Sequence, residues 1–357
     1  MRSGQIVTAN ELPPPLPLAG EGWGEGSLHE SHRGESPHPT LRADLPRKRE
    51  RYTEPAVRPT PSCFDISHPG NTIMSDKLDL DHLRQWIGKT TEASDVVTKY
   101  LVMGLRATLF QEIGEPKAGD AAPWTTHWCL AQPVFPMSQL GPDGHPTRGG
   151  FLPPVPLPRR MWAGGELEFF DSLRIGDEAK RTSKIADVTV KSGSTGTLCF
   201  VSVNHEVTTS RGLAVRERQD IVYREMTSTQ GAAPAKAPPP PPVAQHRESH
   251  VSDPVLLFRY SALTFNGHRI HYDRDYVTKV EGYPGLIFHG PLQASFIVEF
   301  AARLRGGKPP KKLAYRGVQP LFEGSEFSIN ASDKNGGMEL WTANAEGQPT
   351  MKGTATW

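Results

Sequence analysis

Cysteine is scarce and unpatterned: Cys63, Cys129 and Cys199 are an odd number, with no CxxC spacing and no short histidine pair nearby. That argues against a disulfide framework and a zinc site, and it suits a reducing, cytoplasmic setting with no metal. Long apolar runs are lacking too. The longest, around Phe296 to Ala302 and Thr197 to Val203, fall far short of the roughly 20 residues that cross a bilayer, so a soluble chain without a membrane partner is expected. Neither sign of charge dominates. Lys plus Arg number 40 against 39 Asp plus Glu, which removes any broad electrostatic case for binding nucleic acid or an anionic surface. Hydrophobic residues make up 36% of the 357, low for a chain globular throughout, so part of it is expected to be unstructured.

That part is residues 1–73. They are rich in Pro, Gly, Ser and Arg, have no helical or strand period, and cannot bury enough apolar surface to offset their ordering entropy. No basic segment followed by an apolar core marks a secretory signal, and the Arg47-Lys48-Arg49-Glu50-Arg51 run reads as solvated charge. Helical spacing first appears after Met74, at Leu83, Trp86 and Ile87. Met74 is therefore the expected start, and the preceding text is similar to translated repetitive bacterial intergenic DNA. A second break falls at 227–249, where an Ala-rich stretch leads into Pro238 to Pro242, a semi-rigid tether. The expected folded units are 75–226 and 250–357.

In the second unit, Gly290-Pro291 opens a run that is apolar on nearly every face and closes at Gly306-Gly307, which predicts a buried helix. Strand-like pieces follow at 313–318, 326–330, 338–343 and 350–357, separated by turn formers. The first unit shows strands at 166–170, 178–191, 197–209 and 213–225, but its centre, Gly149 to Pro158, carries too much proline for a long helix. The order implies an α+β architecture: curled antiparallel sheets around a central helical segment, degenerate in the first copy. Trp124, Trp128 and Trp162 read as packing at the core or between the units.

The chemistry is concentrated in Asn266-Gly267-His268-Arg269-Ile270-His271-Tyr272-Asp273, followed by His289-Gly290-Pro291. This text resembles the MaoC-like, R-specific enoyl-CoA hydratases, whose motif runs Asp, any residue, Asn, Pro, an aliphatic residue and His, with a His-Gly at the mouth of a hot-dog helix. The resemblance implies a double hot-dog. His271 falls on the motif histidine, Ile270 on the aliphatic residue, Asn266 on the aspartate and Gly290 on the helix-mouth glycine; His268 and Arg269 replace the motif asparagine and proline. The variant text, together with residues 141–169, is similar to one branch, the mesaconyl-C4-CoA hydratases and the mitochondrial 3-hydroxyacyl-thioester dehydratases type 2, over essentially 75–357.

Hydration of an enoyl thioester needs a base near the β-carbon, a proton for the α-carbon and stabilisation of an enolate-like oxygen. What the resemblance implies is His271 as base, the Gly290 amide as oxyanion donor, and Asn266 holding water as proton source; His271 returning its own proton and Asp273 are the other donors considered. His268, His289, Arg159, Arg160 and Arg269 are candidate substrate contacts, the arginines for a CoA phosphate or a substrate carboxylate. The expected partner is an acyl-CoA, with an acyl-carrier-protein thioester as alternative, no cofactor, and a monomer or homodimer. The preferred activity is reversible hydration of mesaconyl-C4-CoA or a related dicarboxylic enoyl-CoA. The alternatives are a (3R)-hydroxyacyl-thioester dehydratase of fatty-acid synthesis and an acyl-CoA-binding or thioesterase-type hot dog. An arginine facing the acyl pocket favours the diacid; an open apolar tunnel favours the long chain.

Overall fold

The computed structural model describes residues 78–193, 196–225 and 239–357. The expectations for 1–73 and for tether residues 227–238 lie outside these.

The first half begins with a short helix α1 (Leu80–Arg84), strand β1 (Thr90–Val96) and helix α2 (Lys99–Thr108), whose N-cap Thr98 accepts a hydrogen bond from the Leu101 amide. Strands β2 (Arg159–Phe169), β3 (Glu178–Gly193), β4 (Gly196–Thr209) and β5 (Gly212–Arg224) follow. The second half runs β6 (His246–Val251), α3 (Pro254–Leu263), α4 (Arg274–Lys279), α5 (Gly290–Leu304), β7 (Lys312–Gly317), β8 (Glu326–Lys334), β9 (Gly337–Ala343) and β10 (Pro349–Thr356). The boundary expected at 250 moves: β6 starts at His246, inside the stretch read as tether, and pairs with β8 from His246↔Ala331 to Val251↔Glu326.

All ten strands form one antiparallel sheet in the order β1-β3-β4-β5-β2-β7-β10-β9-β8-β6. From the centre outward each half has the same succession, and the halves meet where β2 pairs with β7, from Gly164↔Arg316 to Glu168↔Lys312. The α+β double hot-dog expected from the sequence is thus one continuous sheet. Among the described residues no helix is long and apolar enough to cross a membrane.

The halves differ in what fills them. In the second, α5 buries every residue from Leu292 to Ala302, and Leu292 and Ile297 are inaccessible to solvent. Each such aliphatic side chain contributes about 1.5–3 kcal/mol by leaving water. Pro291 sits in the first turn, and Gly306 and Gly307, both at positive φ, end the run. The first half has no counterpart. Between α2 and β2 the chain makes only two short 3-10 turns, Thr126–Cys129 and Met137–Gln139. The proline-rich stretch then crosses the inner face of β3 to β5, where Val155 and Leu157 pack with Ile185, Val201, Ile221 and Tyr223. Much of that concave face is left uncovered.

Candidate active site

That uncovered face opens into a cavity of about 1460 Å³ lined by both halves. His271, His268, Asn266 and Gly290 reach it from the second half, and Arg160 and Tyr223 from the first.

His271 ends a 3-10 turn, Arg269–His271, on the loop between α3 and α4. The Ile287 amide donates to the Ile270 carbonyl at 3.0 Å, and His271 Nδ1 lies 2.7 Å from the Ile287 carbonyl. A carbonyl only accepts, so Nδ1 carries the proton and Nε2 the lone pair. Because residue 287 is three positions before Gly290, these two bonds also lash the histidine to the start of α5. That start has no side-chain cap. Helix geometry leaves its first amides without internal partners, and Pro291 offers none, so the Gly290 and Leu292 N–H groups form an open donor pair at the positive end of the helix dipole. A Cβ on Gly290 meets only Trp162 O at 3.7 Å and Trp162 Cβ at 3.8 Å, ordinary contacts. Packing within the protein does not require glycine there.

The sequence candidates do not all face the cavity. Asn266 does, but its Oδ1 accepts from the His268 amide at 3.0 Å, which leaves Nδ2 as its outward donor. Its side chain is therefore a turn brace and a donor, unlike the family carboxylate. His289 does not line the cavity; it is fully buried, stacks on His271 with ring centroids 3.6 Å apart, and its Nε2 meets Ser261 Oγ at 2.9 Å. As a substrate contact it is corrected to a backing residue, because a ring sealed behind His271 cannot reach a ligand. Arg159 is corrected likewise. On β2 it points away from the large cavity into an ion pair with Glu281 at 3.0 Å, over the Tyr283 ring. Arg269 borders the cavity with its guanidinium committed to Asp273 at 2.7 Å and to the Pro142 carbonyl at 3.0 Å, stacked on Tyr276. That bridge also occupies Asp273, whose Oδ1 caps α4 through the Tyr276 amide, so it is no proton donor to the cavity. Trp128 and Trp162 pack edge to face with centroids 5.4 Å apart, at the meeting of the halves.

Sequence reasoning missed the contribution of the loop at 141–147. The Arg269 amide donates to the Asp143 carbonyl at 2.9 Å, and Gly144, at φ 85°, lies so close to Gly267 that a Cβ would sit 1.9 Å from its carbonyl oxygen. The first half thereby clamps the loop that carries His271. It also adds His145, whose Nδ1 is 3.0 Å from Asp143 Oδ2 and whose ring lies 4.1 Å from His268, itself 5.4 Å from His271. The Gly141-Pro142-Asp143-Gly144-His145 text signalled something unusual, but no spacing rule ties it to residue 271.

Burial sets the protonation of this row. It holds the His271 imidazole down to about 4, against the pull of the Ile287 carbonyl and helped by the charge of His145. Burial likewise drives His268 far below the ordinary histidine range, with His145, His271 and Arg160 adding to the effect, and it lowers His289 and His145. Burial alone would raise the Asp143 carboxyl, but the hydrogen bond and charge of His145, with Arg160 behind it, bring it to about 2. The row is therefore neutral at pH 7, and His271 offers an unprotonated Nε2. One ligand atom each from Asp143, His145 and His268 falls within 4.8 Å of the others, a spacing a cation would fit, but the Arg160 charge that bears on all three opposes one.

Deeper in, the inner faces of β3 to β5 carry Arg181, Ser183, His205, Glu217 and Gln219, where a hot-dog half ordinarily buries apolar side chains. Ser183 Oγ meets His205 Nδ1 at 2.7 Å, and Trp128 Nε1 donates to both Glu217 oxygens at 3.1 Å. The floor is polar.

The hydroxyacyl-thioester dehydratase type 2 family model matches residues 125–323, spanning the clamp loop, the polar floor, His271 and α5. The chain belongs to the hydroxyacyl-thioester dehydratase type 2 family. Within reach of that family, it is 42% identical over 273 residues to the mesaconyl-C(4)-CoA hydratase of Chloroflexus aurantiacus, covering 75% of this chain and 95% of that one. It is 26% identical over 240 residues to the mitochondrial hydroxyacyl-thioester dehydratase type 2 of Schizosaccharomyces pombe, covering 60% and 78%. A MaoC-like dehydratase structure from Phytophthora capsici shares the fold at 15% identity, with a TM-score of 0.57 over 78% of this chain and 99% of that one. This member of the type 2 dehydratases therefore keeps the family's double hot-dog.

Proposed function

We propose that the protein catalyses the reversible addition of water to an α,β-unsaturated acyl-CoA thioester, with mesaconyl-C4-CoA or a related short, branched, dicarboxylic enoyl-CoA as substrate, in the cytoplasm and without a cofactor. One observation carries this reading: a histidine of fixed tautomer and an uncapped, glycine-led helix N-terminus open on one cavity. The thioester oxygen accepts from the Gly290 amide, which draws electron density from the β-carbon and stabilises the enolate-like charge as water adds. His271 Nε2 takes a proton from that water, with Asn266 Nδ2 orienting it. The α-carbon receives a proton from the resulting imidazolium, so one histidine closes the cycle without the missing carboxylate. Similarity to the Chloroflexus hydratase supports the choice of acyl group.

A second reading, a (3R)-hydroxyacyl-thioester dehydratase acting on longer chains carried by acyl carrier protein, is favoured by the cavity volume. The polar floor speaks against it, since an alkyl chain laid over Arg181, His205 and Glu217 would cost those groups their hydration without replacing it. Loss of the enoyl-thioester ultraviolet band on mixing enzyme with mesaconyl-C4-CoA, with no thiol released, is the expected result; thiol release would instead indicate a thioesterase. His271→Ala should lower that rate by on the order of a hundredfold or more, and an unchanged rate would reject the assignment.

A further inference from the structure

In a C4 thioester of mesaconate the free carboxylate is attached to the β-carbon, the atom that water attacks. If that carbon faces His271, the carboxylate lies only two bonds' reach away, beside the loop of residues 266–271. It cannot extend to the floor of the cavity. Its receptor must be a cation on the wall next to His268 and His271.

Five arginines line the cavity, and their contacts separate them: Arg224, across from Arg159 on β5, gives Nη2 to the Tyr283 hydroxyl at 2.9 Å. Arg269 is bound to Asp273 and Pro142. Arg148 gives one guanidinium nitrogen to the Val155 carbonyl at 2.6 Å and the other to the Pro158 carbonyl at 2.8 Å. Arg181 gives its two to the Ala131 carbonyl at 2.6 Å and the Leu130 carbonyl at 3.4 Å, and lies on β3 at the floor. Arg160 is different. Strand alternation turns it to the opposite face from Arg159, directly across from Tyr223 on β5, and it shares a recess with Asp143, His268 and Ile270. Among the described residues it has no carboxylate partner within ion-pair distance: of the two acids in its recess, Asp143 is engaged by His145 and Glu281 by Arg159. A half-buried guanidinium with no carboxylate at ion-pair distance, sharing a recess with His268, is an arrangement that a protein maintains at a cost in stability.

We infer that Arg160 is the receptor for the second carboxylate of the acyl group and thereby sets the preference for dicarboxylic over simple enoyl thioesters. The inference rests on the hydratase reading and assigns the substrate class to one residue of that site. The planar fork of Arg160 takes the carboxylate bidentately, with the Tyr223 hydroxyl beside it. Binding there fixes the β-carbon toward Nε2 of His271 while the thioester oxygen rests on the tip of α5. It also supplies the counter-charge that Arg160 lacks, so a ligand with a methyl in that place leaves the guanidinium buried and unpaired. The discrimination is therefore larger than a simple hydrogen bond would give.

Binding can be read without turnover by using two saturated CoA thioesters that differ only there: methylsuccinyl-CoA with the methyl and free carboxylate on the same carbon, and isovaleryl-CoA, which replaces that carboxylate by a methyl. Calorimetric titration of the full chain should show methylsuccinyl-CoA binding the tighter. Arg160→Gln should weaken methylsuccinyl-CoA by about 10- to 100-fold while holding isovaleryl-CoA within about twofold, which also certifies the fold. Arg160→Lys should fall between, since charge survives but the fork does not. Equal weakening of both ligands would overturn the inference in favour of a CoA or structural contact, as would no weakening of either. If the wild type hydrates mesaconyl-C4-CoA and Arg160→Gln keeps its ligand preference, this inference alone falls. If the wild type leaves mesaconyl-C4-CoA untouched and hydrates long straight-chain enoyl thioesters, the underlying reading falls with it.

Discussion

The two halves of the sheet have the same strand order and opposite interiors. The second encloses α5, whose Leu292, Ile297 and Val298 are sealed from solvent. The first has given up that helix, laid a proline-rich strap over part of the sheet, and set Ser183, His205 and Glu217 where a core would be. Stability and substrate room are thus separated within one continuous sheet. The filled half supplies the rigid helix tip, and the emptied half supplies the space in front of it. The clamp through Gly144 and Asp143 is how the emptied half reaches back to hold the catalytic loop.

The largest effect that would test this division is on stability. Ile297→Ala, on α5, should cost about 3–5 kcal/mol in urea unfolding, whereas Ile221→Ala, which already borders the cavity, should cost about 2 kcal/mol or less. Equal costs would mean that the first half is as closely packed as the second. Next come the two glycines that join the halves' functions. Gly290→Ala has room for its methyl and gains helix propensity, so its melting temperature should match or exceed the wild type while kcat/KM falls by about 10- to 100-fold, the methyl meeting substrate and not protein. Gly144→Ala should lose both melting temperature and activity, because its Cβ has no place against Gly267. An active Gly290→Ala enzyme would remove the oxyanion role; a Gly144→Ala enzyme of full stability would remove the clamp.

The same contrast explains what could be read from the sequence. Strands β2 to β5 and β7 to β10 were legible, most to within a residue or two, because their texts are strand-like and closed by turn formers such as Arg174-Ile175-Gly176-Asp177. Two bounds were cut short: the start of β2, at Glu166 instead of Arg159, since Gly164-Gly165 interrupts the strand, and the end of β8, at Asn330 instead of Lys334, where the text turns polar at Ser332-Asp333-Lys334. The two strands that escaped, β1 and β6, are the two edges of the sheet. Their texts, TTEASDV and HRESHV, are polar and largely exposed, so no period marks them. Within the site, His271, Asn266 and Gly290 lie on short motifs and were named from them. Asp143 and His145 were not, since only the tertiary fold carries them to a loop more than a hundred residues away, and neither were the floor residues, which come from separate strands.

The smallest expected effect is the response to acid, and it follows from the row of neutral histidines. His271 has its pKa held down to about 4 by burial, below the ordinary value of 6.5, and His145, His268, His289 and, on the floor, His205 are lowered for the same first reason. Between pH 6.5 and 4 the unfolded chain therefore binds more protons at these positions than the folded one. Stability must rise with pH across that window and be lost progressively as the pH falls through it. Catalysis should be less sensitive there than for an exposed histidine, because His271 keeps its lone pair until the pH approaches 4. The acid limb of kcat/KM should accordingly lie well below 6.5, with unfolding overtaking it at the lowest pH. Measuring kcat/KM and the melting temperature over the same pH series separates the two. A limb centred at 6.5 with an unchanged melting temperature would mean that the base is a solvated histidine, and that the emptied half admits water to His271 more freely than its burial allows.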